Sequence, residues 1–135
     1  MPEIQPVGSH ATWFEEPELI VLRLKGDVSL AESEALAGIH EEMARGREAI
    51  YMLLDMTEFG SGTPAGRKVT SQALTRMPVR GVAICRAKLT SKVMAKLVFA
   101  GVKLFRKDVR FGIEFFDHEG QARTWIDERR SAAAA

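Results

Sequence analysis

The sequence predicts a single α/β domain built on a mixed sheet, and three observations carry that prediction. The stretch Ile50 to Leu54 is apolar without a polar break and runs into Asp55 and a glycine-rich segment. A strand apolar on both faces must be covered on both faces, which places it at the centre of a sheet. Strand and helix signals alternate from there to the C-terminus, the pattern of parallel crossovers. Upstream, two short runs flank the turn Glu16-Pro17-Glu18, which gives an antiparallel hairpin at one end of the sheet.

Taken in order, residues 11–15 (ATWFE) and 19–25 (LIVLRLK) form the hairpin. In its second strand Ile20, Leu22 and Leu24 alternate with Val21, Arg23 and Lys25. Ser29 followed by Glu32 is a capping-box signature, and Leu36, Ile39 and Met43 recur at helical spacing, so a helix spans about Leu30 to Arg45 and stops at Gly46. After the central strand, Thr63 caps a helix opened by Pro64 and stopped by Pro78. Residues 79–86 (VRGVAICR) read as a strand, 92–106 as a helix, Val109 to Asp117 as a fifth strand, and Asp117 as the cap of a last helix carrying Ala122, Trp125 and Ile126. The expected order is ββαβαβαβα, with five strands and four helices over residues 1–130. The alanine-rich end, 131–135, is expected to be a disordered tail.

At 135 residues the chain can bury roughly 65–70% of the surface it exposes when unfolded, enough for one core without staples. Its single cysteine, Cys85, excludes an intrachain disulfide and fits a reducing compartment, with the cytoplasm as the default. No apolar run approaches the ~18 residues of a membrane span, and the N-terminus lacks the features of a signal peptide. The net charge of +1 is unevenly spread. Residues 1–58 carry 4 Lys/Arg against 12 Asp/Glu, net −8; residues 67–110 carry 12 against 1, net +11; residues 111–135 carry 3 against 5, net −2. Such asymmetry bears on partners, unless the two signs neutralise each other in the fold.

The element order, with LLDMTEF closing the central strand and IEFFDHEGQARTWI near the C-terminus, resembles the SpoIIAA-like branch of the STAS family, the domain shared by sulphate transporters and anti-sigma-factor antagonists. The resemblance covers about Thr12 to Ile126. It implies a serine phosphorylated in the antagonists' Asp-Ser-Ser-Gly motif, but that motif falls here on Thr63, Pro64, Ala65 and Gly66, with no hydroxyl at either serine position. Ser61 and Thr63 are the nearby hydroxyls, and Thr63 is explained as a helix cap. Members of the SpoIIAA-like branch resemble small ligand-binding or membrane-associated modules.

Residues 92–106, KVMAKLVFAGVKLFR, carry the sharpest local signal. At 100° per residue Lys92, Lys96 and Lys103 cluster within about 40°, with Arg106 nearby, while apolar residues cover an arc of about 180–200°. A core-facing stripe needs little more than about 100°, so apolar surface is left over, and Phe99 falls in the lysine sector. Lys92, Lys96, Phe99, Lys103 and Arg106 are therefore the candidate binding residues, for an anionic bilayer or as a lid over an apolar pocket. The alternative is a well-buried helix with snorkelling lysines.

Asp55, at the carboxyl end of the central strand, is a second candidate, against a purely structural role in holding the following loop. The loop GSGTPA matches the dinucleotide fingerprint only loosely, and Pro64 sits inside the match. No metal-ligand spacing, thiol nucleophile, catalytic triad or paired carboxylates are evident, and the basic segment lacks a nucleic-acid-binding motif. The expectation is a non-enzymatic module without cofactor or metal, cytoplasmic or peripheral at the membrane, binding a lipid-like or apolar small ligand or an anionic membrane surface. The alternative is an antagonist-like protein-interaction regulator lacking the phosphorylatable serine. A homodimer is compatible with either.

Overall fold

A computed structural model describes residues 2–106 and 111–134. The chain folds as β1 (Gln5–Val7), β2 (His10–Glu15), β3 (Leu19–Val28), α1 (Leu30–Ala44), β4 (Ile50–Gly62), α2 (Pro64–Arg76), β5 (Val79–Cys85), α3 (Leu89–Phe105), β6 (Gly112–Phe116) and α4 (Glu119–Ala134). The strands form one sheet in sequence order: β1, β2 and β3 pair antiparallel, and β3 through β6 pair parallel.

The mixed sheet, the hairpin and the four helices are as expected; the strand count is not. The sheet has six strands because Gln5–Val7 pairs with β2, as in Gln5↔Thr12. A three-residue strand containing Pro6 has no alternation to read, and its pairing is made by the backbone alone. Two further differences concern ends. The Gly60-Ser61-Gly62 stretch, expected as a loop, belongs to β4, which continues beside an extended β3 through pairs such as Gly26↔Phe59 and Val28↔Gly62. The alanine-rich end, expected as a frayed tail, continues α4 to Ala134, in keeping with alanine's high helix propensity. Of the fifth expected strand, Val109 and Arg110 lie outside the described residues.

Strand parity divides the core into two layers. Ile20, Met52, Met56, Val82 and Ile84 face α1, α2 and α3, whereas Val21, Tyr51, Leu53, Ala83 and Cys85 face α4 through Ala122 and Ile126. Topology explains the arrangement. Parallel neighbours laid down in sequence order, each joined by a right-handed crossover, put all three connecting helices on one face. The fourth helix follows the edge strand and returns across the other.

The helix boundaries have local causes. In α1 the capping box is complete: Ser29 Oγ accepts from the Glu32 amide at 3.1 Å, and Glu32 accepts from the Ser29 amide at 2.9 Å. In α2 Thr63 Oγ1 accepts from the Gly66 amide at 2.9 Å, and Pro64 occupies the first turn. Gly66 also fixes how closely α1 and α2 approach, since a Cβ there would lie 2.7 Å from Ser33 Oγ.

Candidate functional site: an apolar cavity beneath α3

Helix α3 is oriented so that its longest aliphatic side chains face away from the sheet. Leu97 is 61% exposed, Leu104 75% and Phe105 78%, and Leu89 and Val93 are exposed with them. Toward the sheet the helix turns smaller or fewer groups: Ser91, Ala95, Val98, Phe99 and Val102. With so little volume pointing inward, the space between the even-parity sheet face and α1–α3 is not filled. A cavity of about 400 Å³ remains, walled by Leu22, Met52, Leu54, Met56 and Ile84 from the strands and by Leu36, Leu74 and Phe99 from the helices. Ser61, Gly62 and Thr63, at the junction of β4 and α2, and Thr90 and Met94 of α3 also border it. This is the carboxyl end of the parallel strands, where open α/β sheets hold their ligands.

The expected site residues divide into three groups. Phe99 is a correction: it is 5% exposed rather than presented among the lysines. Its ring packs 5.6 Å from that of Phe111 and forms part of the cavity wall. The position falls in the lysine sector, and the helix is rotated so that this part of it faces inward together with Val98 and Val102. Arg106 is likewise not at the outer surface. Its Nη1 donates to Val79 O at 2.7 Å and Met77 O at 3.3 Å, tying the end of α3 to the start of β5.

Lys92, Lys96 and Lys103 behave as one flank of the helix. The ammonium groups of Lys92 and Lys96 lie 5.8 and 5.9 Å from the centre of the Phe115 ring on β6, a cation–π arrangement. Lys103 is exposed. None of the three makes a salt bridge among the described residues. The basic segment is neutralised only in part, for example where Arg76 meets Glu41 at 2.6 Å.

The loop candidates have structural roles. Asp55 accepts from the Thr57 amide at 3.0 Å and the Thr57 hydroxyl at 2.6 Å, with Arg23 3.7 Å away. Ser61 donates through its amide and its hydroxyl to Asp27 at 2.9 and 3.1 Å, fastening the extension of β4 to that of β3. Thr63 is the α2 cap.

Sequence reasoning missed His40. It lies on α1, is 5% exposed, lines the cavity, and places Nε2 2.9 Å from Thr12 Oγ1. Its spacing from Leu36 and Ala37 put it on the buried face of α1, a signal that was available. Burial lowers its pKa from 6.5 to about 4, so the imidazole is neutral near pH 7. Cys85 is buried too, and desolvation, with smaller contributions from Asp55 and Glu119, pushes its thiol up to about 11. No group of three or more His, Cys, Asp or Glu among the described residues could hold a metal ion. No helix among them is long and apolar enough to cross a membrane.

Comparison with solved structures places the chain among SpoIIAA-like folds. It is similar to an uncharacterized protein of the DUF3478 family with a SpoIIAA-like fold from Shewanella loihica PV-4, with a TM-score of 0.61 and 15% identity over 93% of this chain and 91% of that one. It is also similar to the anti-sigma factor antagonist SpoIIAA in its unphosphorylated form, with a TM-score of 0.51 and 13% identity over 96% of this chain and 98% of that one. No protein-family model matches the chain, and no curated protein matches it. The fold is thus SpoIIAA-like, as the resemblance in sequence implied.

Proposed function

We propose that this chain is a non-enzymatic binding module for an apolar, lipid-like small molecule held between the sheet and α1–α3. The observation that carries the proposal is the cavity of about 400 Å³, within the range of small-molecule sites of roughly 300–1,000 Å³. Its wall is aliphatic and aromatic with a few polar groups, a composition suited to an acyl chain or a fused-ring hydrocarbon. Phe99 serves as wall rather than membrane anchor, and Ser61 and Thr63 hold the rim in place. The test is direct. Native mass spectrometry of the purified protein should detect a bound lipid-like species, and Ala95→Phe, which fills the cavity from α3, should abolish it while leaving the circular dichroism spectrum unchanged. Equal occupancy of the parent and the filled variant would overturn the proposal.

A second reading is favoured by a separate observation, the outward stripe of Leu89, Val93, Leu97 and Leu104 flanked by Lys92, Lys96 and Lys103. Apolar residues bordered by unneutralised lysines suit an anionic bilayer surface. Sedimentation with phosphatidylglycerol vesicles, and not with phosphatidylcholine vesicles, is the expected result. The protein-regulator alternative draws on the likeness to an anti-sigma factor antagonist. It would have to work without phosphoserine, since Pro64 and Ala65 stand at those positions. A partner engaging the same outer stripe would compete with vesicles for it.

A further inference from the structure

The cavity wall contains one hydrogen-bonding atom whose state can be assigned from its neighbours. The Thr12 hydroxyl has a single proton, donated to Val21 O at 2.7 Å. Thr12 Oγ1 therefore accepts from His40 Nε2, 2.9 Å away, which places the imidazole hydrogen on Nε2. The other nitrogen, Nδ1, is then a lone-pair acceptor. No hydrogen bond among the described residues uses it. The ring is buried, yet it keeps a small accessible area and belongs to the cavity wall. Nδ1 is not among the fully enclosed side-chain atoms that lack a partner, so it keeps open surface, and an apolar ligand covering it would have to offer a donor. Ser33, two turns earlier on the same side of α1, adds a hydroxyl to the same wall.

We propose, on the apolar-ligand reading above, that the ligand is a neutral hydroxylated amphiphile whose O–H donates to His40 Nδ1. Plain hydrocarbon would leave the acceptor unpaired. An ionised carboxylate would bring its own lone pairs against that of Nδ1, and Arg67, the one cationic side chain bordering the cavity among the described residues, turns its guanidinium to Gly62 O at the β4–α2 junction. An alcohol satisfies the nitrogen without burying charge. His40 thus supplies selectivity, while the aliphatic wall supplies the general affinity.

The probes are 1-decanol and decyl methyl ether, which have the same aliphatic chain but differ in the donor. Dissociation constants measured by calorimetry should favour the alcohol by about tenfold in the parent protein, the size of effect expected for one buried hydrogen bond. In His40→Phe, which keeps a ring in place and leaves Thr12 bonded to Val21, the two probes should bind equally. As a check that needs no substitution, the His40 Nδ1 resonance of nitrogen-15-labelled protein should shift with decanol and stay in place with the ether. If both probes bind the parent equally, or the preference survives in His40→Phe, the hydroxyl assignment fails and apolar binding stands. If neither probe binds, both fall together.

Discussion

Phe99 and Phe111 stack at a centroid separation of 5.6 Å, with their planes tilted by 34°, and through this contact α3 is held to Phe111, next to β6. Aromatic pairs of this geometry contribute beyond the area they bury. Because Phe99 also borders the cavity, its truncation enlarges space that is already unfilled. Phe99→Ala should lower unfolding stability in urea by about 3 kcal/mol or more, and Phe99→Asp should cost more still by burying a carboxylate. A loss below about 0.5 kcal/mol would show that the residue is not packed as described.

The outer face of α3 should respond in the opposite way. Leu97 and Leu104 are exposed, so the double substitution Leu97→Glu and Leu104→Glu should leave stability within about 0.5 kcal/mol of the parent. The same variant should no longer sediment with phosphatidylglycerol vesicles. Retained sedimentation would remove the stripe from any account of membrane contact.

Acid stability should report His40. Above pH about 6.5 the imidazole is neutral in both folded and unfolded chains, and it contributes no pH dependence. Between the unfolded value of 6.5 and the folded value of about 4, only the unfolded chain takes up the proton. Stability should therefore fall as pH is lowered through that window, by up to about 3 kcal/mol, and level off below it. His40→Phe should flatten this part of the curve. Glu15, whose pKa is lowered chiefly by its hydrogen bond from Arg123, adds a separate loss of stability at lower pH. That contribution is complete above the ordinary value of 4.5 and lost as pH falls through the depressed one. Urea midpoints measured from pH 8 to pH 3 separate the two.

Cys85 should be unreactive in the native protein. It is buried in β5, and its thiol titrates near 11, so little thiolate exists at neutral pH. Ellman's reagent at pH 8 should label it only at the rate of unfolding, with full reaction in denaturant. Rapid labelling without denaturant would contradict the placement of Cys85 beneath α4.

Much of the fold was legible because its signals are local. The unbroken run Ile50–Leu54, the Ser29 and Glu32 capping box and the Thr63-Pro64 start each specify backbone geometry over a few residues, and each is found where it was read. The first strand escaped notice because Gln5–Val7 has no side-chain pattern and exists only through its pairing with β2. The site was legible in part. The surplus of apolar residues on α3 is a property of composition and spacing, and the exposed leucines bear it out. The rotation of the helix is not such a property, and for that reason Phe99 was placed on the wrong side.

The sequence by itself determined the layered architecture, the positions of two helix starts and the excess of apolar and basic surface on α3, because periodicity and capping act within one element. Only the tertiary structure decided which arc of α3 meets the sheet, that a cavity lies beneath it, and that His40 reaches Thr12 across 28 residues of chain. Those outcomes depend on volumes and hydrogen-bond partners contributed by several elements at once, and no single segment encodes them.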